Sequence, residues 1–144
     1  MKRHVALWMI ALAALVSAAG CCSTCKSKSS DSLQGKWSGH ETGNSGTCTL
    51  AISGNKLDYQ GAQSGDWCKG TFTLNQDASP KQLVGVITDC ESTDAVGKVI
   101  NAIYKIENGT LTVCGNSPGD VDMPASFNAP GSRTFVLTKA EAGH

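Results

Sequence analysis

The stretch "CKGTFTLNQDASPKQLVGVITDC", residues 68 to 90, decides how this chain folds. Cys68, Gly70, Phe72 and Leu74 occupy alternate positions, with Lys69, Thr71 and Thr73 between them. Side chains alternate across a β-strand, so this is the pattern of a half-buried strand with one set facing a core. "QDASPK" (76–81) then supplies turn residues, and "LVGVITDC" (83–90) returns rich in β-branched residues. The stretch reads as a hairpin centred near Ser79. Cys68 and Cys90 are equidistant from that centre, and such residues face each other across an antiparallel ladder. Opposed residues lie about 5.5 Å apart at Cα, inside disulfide reach, so Cys68–Cys90 is the expected bridge. Residues 33–139 hold four cysteines, Cys48, Cys68, Cys90 and Cys114, and such an even set, if the chain is exported, favours disulfides in one of three connectivities. Cys48 and Cys114 would then be left to pair, although a simple meander does not place their strands side by side.

Short alternating runs continue on both sides of this hairpin. They are "GKWSGH" from Gly35, "TCTLAIS" from Thr47, "KLDYQ" from Lys56, "VINAIYKIE" from Val99, "TLTVC" from Thr110 and "RTFVLTK" from Arg133. In "TCTLAIS", Cys48, Leu50 and Ile52 share a face opposite Thr47, Thr49 and Ala51. Asn108-Gly109 is the strongest turn signal, because both residues tolerate the positive φ of a type I′ hairpin. Glu91 to Ile103 has room for a turn of helix, but "VINAIYKI" fits a mostly buried strand better. Sixteen glycines and few aromatics agree with turns and strands. About eight strands with short connections imply a meander, and closing it removes the exposed edges. The expected fold is all-β, a small up-and-down antiparallel barrel over residues 33–139, followed by a tail at 140–144.

The chain begins differently. Lys2, Arg3 and His4 precede the uncharged run "VALWMIALAALV", and small residues lead to Cys21. This is the layout of an export signal, and the apolar core falls short of the roughly 20 residues a spanning helix needs. "Ala18-Ala19-Gly20-Cys21" resembles the lipobox of bacterial lipoproteins, with alanine at 18 where those proteins prefer leucine. That resemblance implies a signal peptide over 1–20, lipid on Cys21, and an exported protein anchored to a bacterial membrane at the cell envelope. Residues 21–32 then form a Ser/Lys-rich tether. Cys22 and Cys25 lack the second ligand pair of a zinc site and the βαβ setting of a redox pair, so they belong to the tether.

Several segments stand in a recognisable order: "LQGKW" (33–37), "GTFTL" (70–74), "AIYKIENGTLTVC" (102–114), "MPASFNAPGS" (123–132) and a closing "FVLTK". Together they resemble a family of small exported bacterial domains, abundant in planctomycetes and described as lipocalin-like. The likeness spans roughly residues 33 to 139. Met123 stands where that family has arginine before Pro124, and Asn108-Gly109 where it has Asp-Gly-Asp. The resemblance implies a lipocalin-like barrel in which Gly35-Lys36-Trp37 lies on the first strand, with Trp37 as a plug across one end.

Chemistry is sparse. The lysines and arginines match the acidic residues, 12 against 12, with no basic stripe, which argues against nucleic acid. His40 beside Glu41 reads as an exposed strand-end pair, and Ser45 and Ser132 lack a nucleophile elbow. Asp120 and Asp122 read as a polar turn rather than a calcium loop. No phosphate-binding loop is present. The expectation is a protein that is not an enzyme, with no metal and no cofactor. It would bind a small apolar ligand or an envelope component in the barrel mouth. The alternative is a structural or inhibitory envelope protein with a solid barrel, acting through its loops. Tyr59, Trp67, Phe72, Tyr104, Phe127 and Phe135 divide between core and pocket, in proportions the sequence leaves open.

Overall fold

A computed structural model describes residues 32–140; the expected signal peptide over 1–20, Cys21, Cys22, Cys25 and residues 141–144 lie outside the described residues. Eight strands follow one another: β1 (Gly35–Glu41), β2 (Thr47–Ser53), β3 (Lys56–Gln60), β4 (Trp67–Asn75), β5 (Lys81–Cys90), β6 (Val99–Glu107), β7 (Thr110–Gly115) and β8 (Arg133–Lys139). Each pairs antiparallel with its neighbour in sequence, and β1 pairs with β8, closing an up-and-down barrel. The all-β barrel is thus the one the alternation implies. The helical turn between β5 and β6 is a single 3-10 turn, Thr93–Ala95.

Local chemistry explains the turns. Asn108 and Gly109 both take positive φ, 51° and 77°, as a type I′ connection between β6 and β7 requires. Gly39 answers a different demand. A Cβ built there would overlap the Val136 carbonyl oxygen, so only glycine lets β1 lie this close to β8 at the closing seam.

Residues facing each other across a ladder share a side of the sheet, so register assigns the two faces of the wall. Trp37 pairs with Leu50, Leu50 with Tyr59, and Tyr59 with Cys68. Gly39 pairs with Cys48 and with Leu137, and Leu137 with Leu111. These rows face inward, where Trp37, Cys48, Ile52, Phe72, Leu83, Ala102, Tyr104, Leu111 and Leu137 form the buried core. A second, smaller layer lies outside. Ile103 and Cys114 pair across β6 and β7 on the outer face, yet they are 1% and 0% exposed. The segment 116–132 covers that patch: the Cys114 thiol donates to the Ser126 carbonyl at 3.4 Å and the Thr134 hydroxyl to that of Phe127 at 2.8 Å.

Cys68 and Cys90 face each other and are disulfide-bonded, Cα atoms 4.2 Å apart. The route to this pairing differs from a plain hairpin. Leu74 opposes Leu83 rather than Val84, so the turn is centred half a residue earlier than Ser79. A bulge between Lys69 and Gly70 leaves Thr88 without a partner and restores the cysteines to register.

The default pairing of Cys48 with Cys114 is overturned: both are free and buried. Cys48 faces the interior, and Cys114 faces outward beneath segment 116–132. The barrel wall lies between them.

Closing the segment from 68 to 90 restricts the unfolded chain, and loops of comparable length give about 3 kcal/mol. A Cys68→Ala/Cys90→Ala variant should therefore lose about 2–4 kcal/mol in urea unfolding. An unchanged midpoint would show that the bridge adds nothing to the bulged ladder.

Candidate functional site

The interior is filled at one end and hollow towards the other. At the end where β1 begins, Trp37 is 1% exposed. Its indole Nε1 donates to the Leu33 carbonyl at 2.8 Å, and the Lys139 ammonium lies 5.3 Å from the ring centroid. Trp37 thus satisfies its only donor while its ring buries a large apolar area. Beyond it a cavity of about 230 Å3 opens, walled by Leu50, Ile52, Leu57, Leu83, Ala102, Val113, Phe135 and Leu137. Tyr59, Asp66, Asn116, Ser117, Pro118 and Arg133 line its polar side. These last residues belong to the strand ends and loops opposite Trp37. The cavity's polar side lies at the rim formed by the β3–β4 and β7–β8 connections.

A charged cluster organises that rim. Arg133 opens β8 on the face shared by Phe135 and Leu137, so its guanidinium points across the mouth. Its Nε and Nη2 donate to the two oxygens of Glu41, each at 2.9 Å, in a bidentate pair. Nη2 also donates to Asp66 Oδ2 at 2.9 Å and to the Tyr59 hydroxyl at 3.2 Å. That hydroxyl donates in turn to Asp66 Oδ2 at 3.0 Å. The Arg133 guanidinium also stacks near Phe135, 5.1 Å from its centroid, and Phe135 meets Tyr59 edge-on at 5.3 Å. One cation thereby ties β1, β3, β8 and the β3–β4 loop together.

The protonation states follow. Hydrogen bonds from Arg133 hold both Glu41 and Asp66 below the usual carboxylate range, against burial, which pushes them up. Arg133 is held the more firmly charged by the same two bonds. Burial raises the Tyr59 phenol well above its ordinary value, and the Asp66 carboxylate adds to that, so Tyr59 stays neutral and donates. Burial likewise raises the Cys48 thiol, which faces the core as an unionised side chain.

The structure separates other residues that adjacency in sequence brought together. His40 is exposed while Glu41 turns inward to Arg133, so the two lie on opposite faces of β1. Asp120 and Asp122 use their backbone carbonyls to accept from the Asn101 and Asn116 amides. Among the described residues no group of three His, Cys, Asp or Glu side chains is placed to hold a metal. Of the aromatics, Phe72 and Tyr104 fill the core, while Tyr59 and Phe135 line the cavity. Trp67 bonds Glu91 at 3.1 Å, and Phe127 lies under Lys105 on the outer side.

Sequence reasoning did not single out Arg133 or Asp66, and it read Glu41 as exposed beside His40, whereas its carboxylate turns to Arg133. Two of them carry a readable signal: Glu41 is in phase with Trp37 and Gly39, and Arg133 with Phe135 and Leu137. A charge on the apolar phase of a strand needs a partner if it is to face inward. Asp66 sits in a loop and gave no such sign.

Comparison with family models, with curated proteins and with solved structures finds no match for this chain. The fold and the site together define an eight-stranded up-and-down barrel with a small apolar cavity and an ion-pair cluster at its rim.

Carboxylates with depressed native pKa values contribute stability above their unfolded-state values, and lose it as pH falls through the native ones. The stability gap between the native protein and Arg133→Gln should be widest above about pH 4.3, the unperturbed glutamate value, and close under more acid conditions. Thermal unfolding of both proteins from pH 7 to pH 2.5 measures it. A gap that persists unchanged at the acid end would separate Arg133 from its carboxylates.

Proposed function

We propose that this protein is a non-catalytic binding module, taking one small apolar molecule into the barrel from the rim opposite Trp37. The single observation that carries this reading is the apolar hollow of about 230 Å3 beneath the Arg133 cluster. A dry engineered cavity of about 150 Å3 binds benzene, so this one has room for a somewhat larger hydrophobe. An eight-stranded barrel is just wide enough for such a ligand. A solid barrel acting only through its loops fits less well with this hollow. The lipocalin-like resemblance supports the same use.

The second part of the reading concerns place. The leader and the Gly20-Cys21 junction support a lipoprotein held at the cell envelope through lipid on Cys21. The Cys68–Cys90 disulfide agrees with an oxidising, exported location.

Ala102 is 2% exposed and lies on the cavity wall, so Ala102→Phe should fill the hollow. Toluene is expected to raise the melting temperature of the native protein and to lose at least tenfold in affinity for this variant. Val113→Phe provides a second filling should the first disturb packing. No response to toluene or to longer hydrophobes in the native protein would remove the binding reading.

For the anchor, a palmitate analogue fed to a host with the lipoprotein pathway should label the native chain. It should not label a Cys21→Ser/Cys22→Ser variant, in which the neighbouring thiol is removed as a substitute acceptor. Labelling that survives both changes would dispose of the Cys21 assignment.

A further inference from the structure

The cavity's polar side sets what kind of molecule can sit in it. Among the described residues Arg133 is the only cation on the lining, and its guanidinium is engaged by Glu41, Asp66 and Tyr59. Two carboxylates against one guanidinium leave the cluster with a negative excess. Asp66 and Tyr59 reach the cavity itself, while Glu41 stands behind Arg133.

The surrounding loops carry the same sign. At this rim the β5–β6 and β7–β8 connections add Glu91, Asp94, Asp120 and Asp122, with Lys98 as their one basic residue. The Trp37 end is the reverse: Lys36, Lys56, Lys81 and Lys139 stand there against Asp77 and Glu107. An approaching anion therefore meets a repulsive field at the rim and an already partnered arginine within it. To bond Arg133 it would have to displace a carboxylate, leaving that carboxylate's charge uncompensated in a partly buried place.

Resting on the binding reading above, we infer that the cavity selects apolar molecules whose polar end is a hydrogen-bond donor, a hydroxyl or an ammonium, and discriminates against carboxylates. The apolar body lies among Leu50, Val113 and Phe135, and the donor meets the Asp66 carboxylate, which still has lone pairs to accept. A hydroxyl can also accept from the second N–H of the Asn116 amide at the same rim, the first being donated to the Asp122 carbonyl. An ammonium gains in addition from the acidic loops, and this gain weakens with salt.

Four probes test this on the full-length chain by NMR titration at pH 7: toluene, hexan-1-ol, hexylammonium and hexanoate. The expected result is binding of the first three, with hexanoate at least tenfold weaker than hexan-1-ol. The isosteric variant Glu41→Gln/Asp66→Asn leaves Arg133 unopposed and should invert the order in favour of hexanoate. Hexanoate matching hexan-1-ol in the native chain overturns the selectivity, a result that needs no variant to fold. Binding of toluene with no preference among the three hexyl compounds also overturns it, while the binding reading stands. Failure of all four, toluene included, removes the binding reading itself.

Discussion

The backbone ladder between β1 and β8 is the constraint on which the other features depend. Five residue pairs, from Trp37–Lys139 to Glu41–Phe135, join the two ends of the domain. Without that seam the sheet would present two open edges, and its inner face would lose the curvature that makes an interior. Gly39 permits the close approach of the strands, and the Arg133–Glu41 pair spans the same seam near the rim. Both features are long-range in sequence, so they form only when the chain ends meet. The site and the fold are completed by the same event.

The wall has two faces, and much of the molecule's chemistry follows from which face a residue takes. Cys48 and Cys114 are both buried, yet one sits inside the barrel and the other beneath an external strap. Neither can reach the other, and each is shielded in its own way. His40 and Glu41 are neighbours in sequence but part at the wall, which leaves the histidine in solvent and the glutamate on Arg133. Alternation works at the level of single residues here. A shift of one position in β1 would exchange their roles.

The strands were legible because their alternation is strong and their turns carry specific residues, as at Asn108-Gly109. The hairpin from Cys68 to Cys90 shows the limit of that legibility. Counting from Ser79 paired the right cysteines, but most of the ladder is displaced by one residue and the bulge at Thr88 corrects it. A bulge depends on the curvature of the closed sheet, which no local pattern records. The hollow was illegible for a related reason: inward residues can be recognised, but whether they fill the space depends on barrel radius. The rim cluster fell between these cases. Glu41 and Arg133 betray themselves by phase, whereas Asp66 joins them only through the path of a loop.

The chain comes in and leaves at one end of the barrel. Gln34 is clasped to the β2–β3 turn by two hydrogen bonds with Gly54, at 2.9 and 2.7 Å, and the Ala140 amide donates to Lys36 a short distance away. The first and last strands therefore start and stop as adjacent partners. Tension applied between the two termini would load this seam in peeling geometry, opening its hydrogen bonds one rung at a time rather than shearing them together. Such a domain is mechanically weak as a link within a loaded chain. A domain of this kind held by one terminus alone would bear no such load, and its rim lies at the opposite end of the barrel from Gln34 and Ala140.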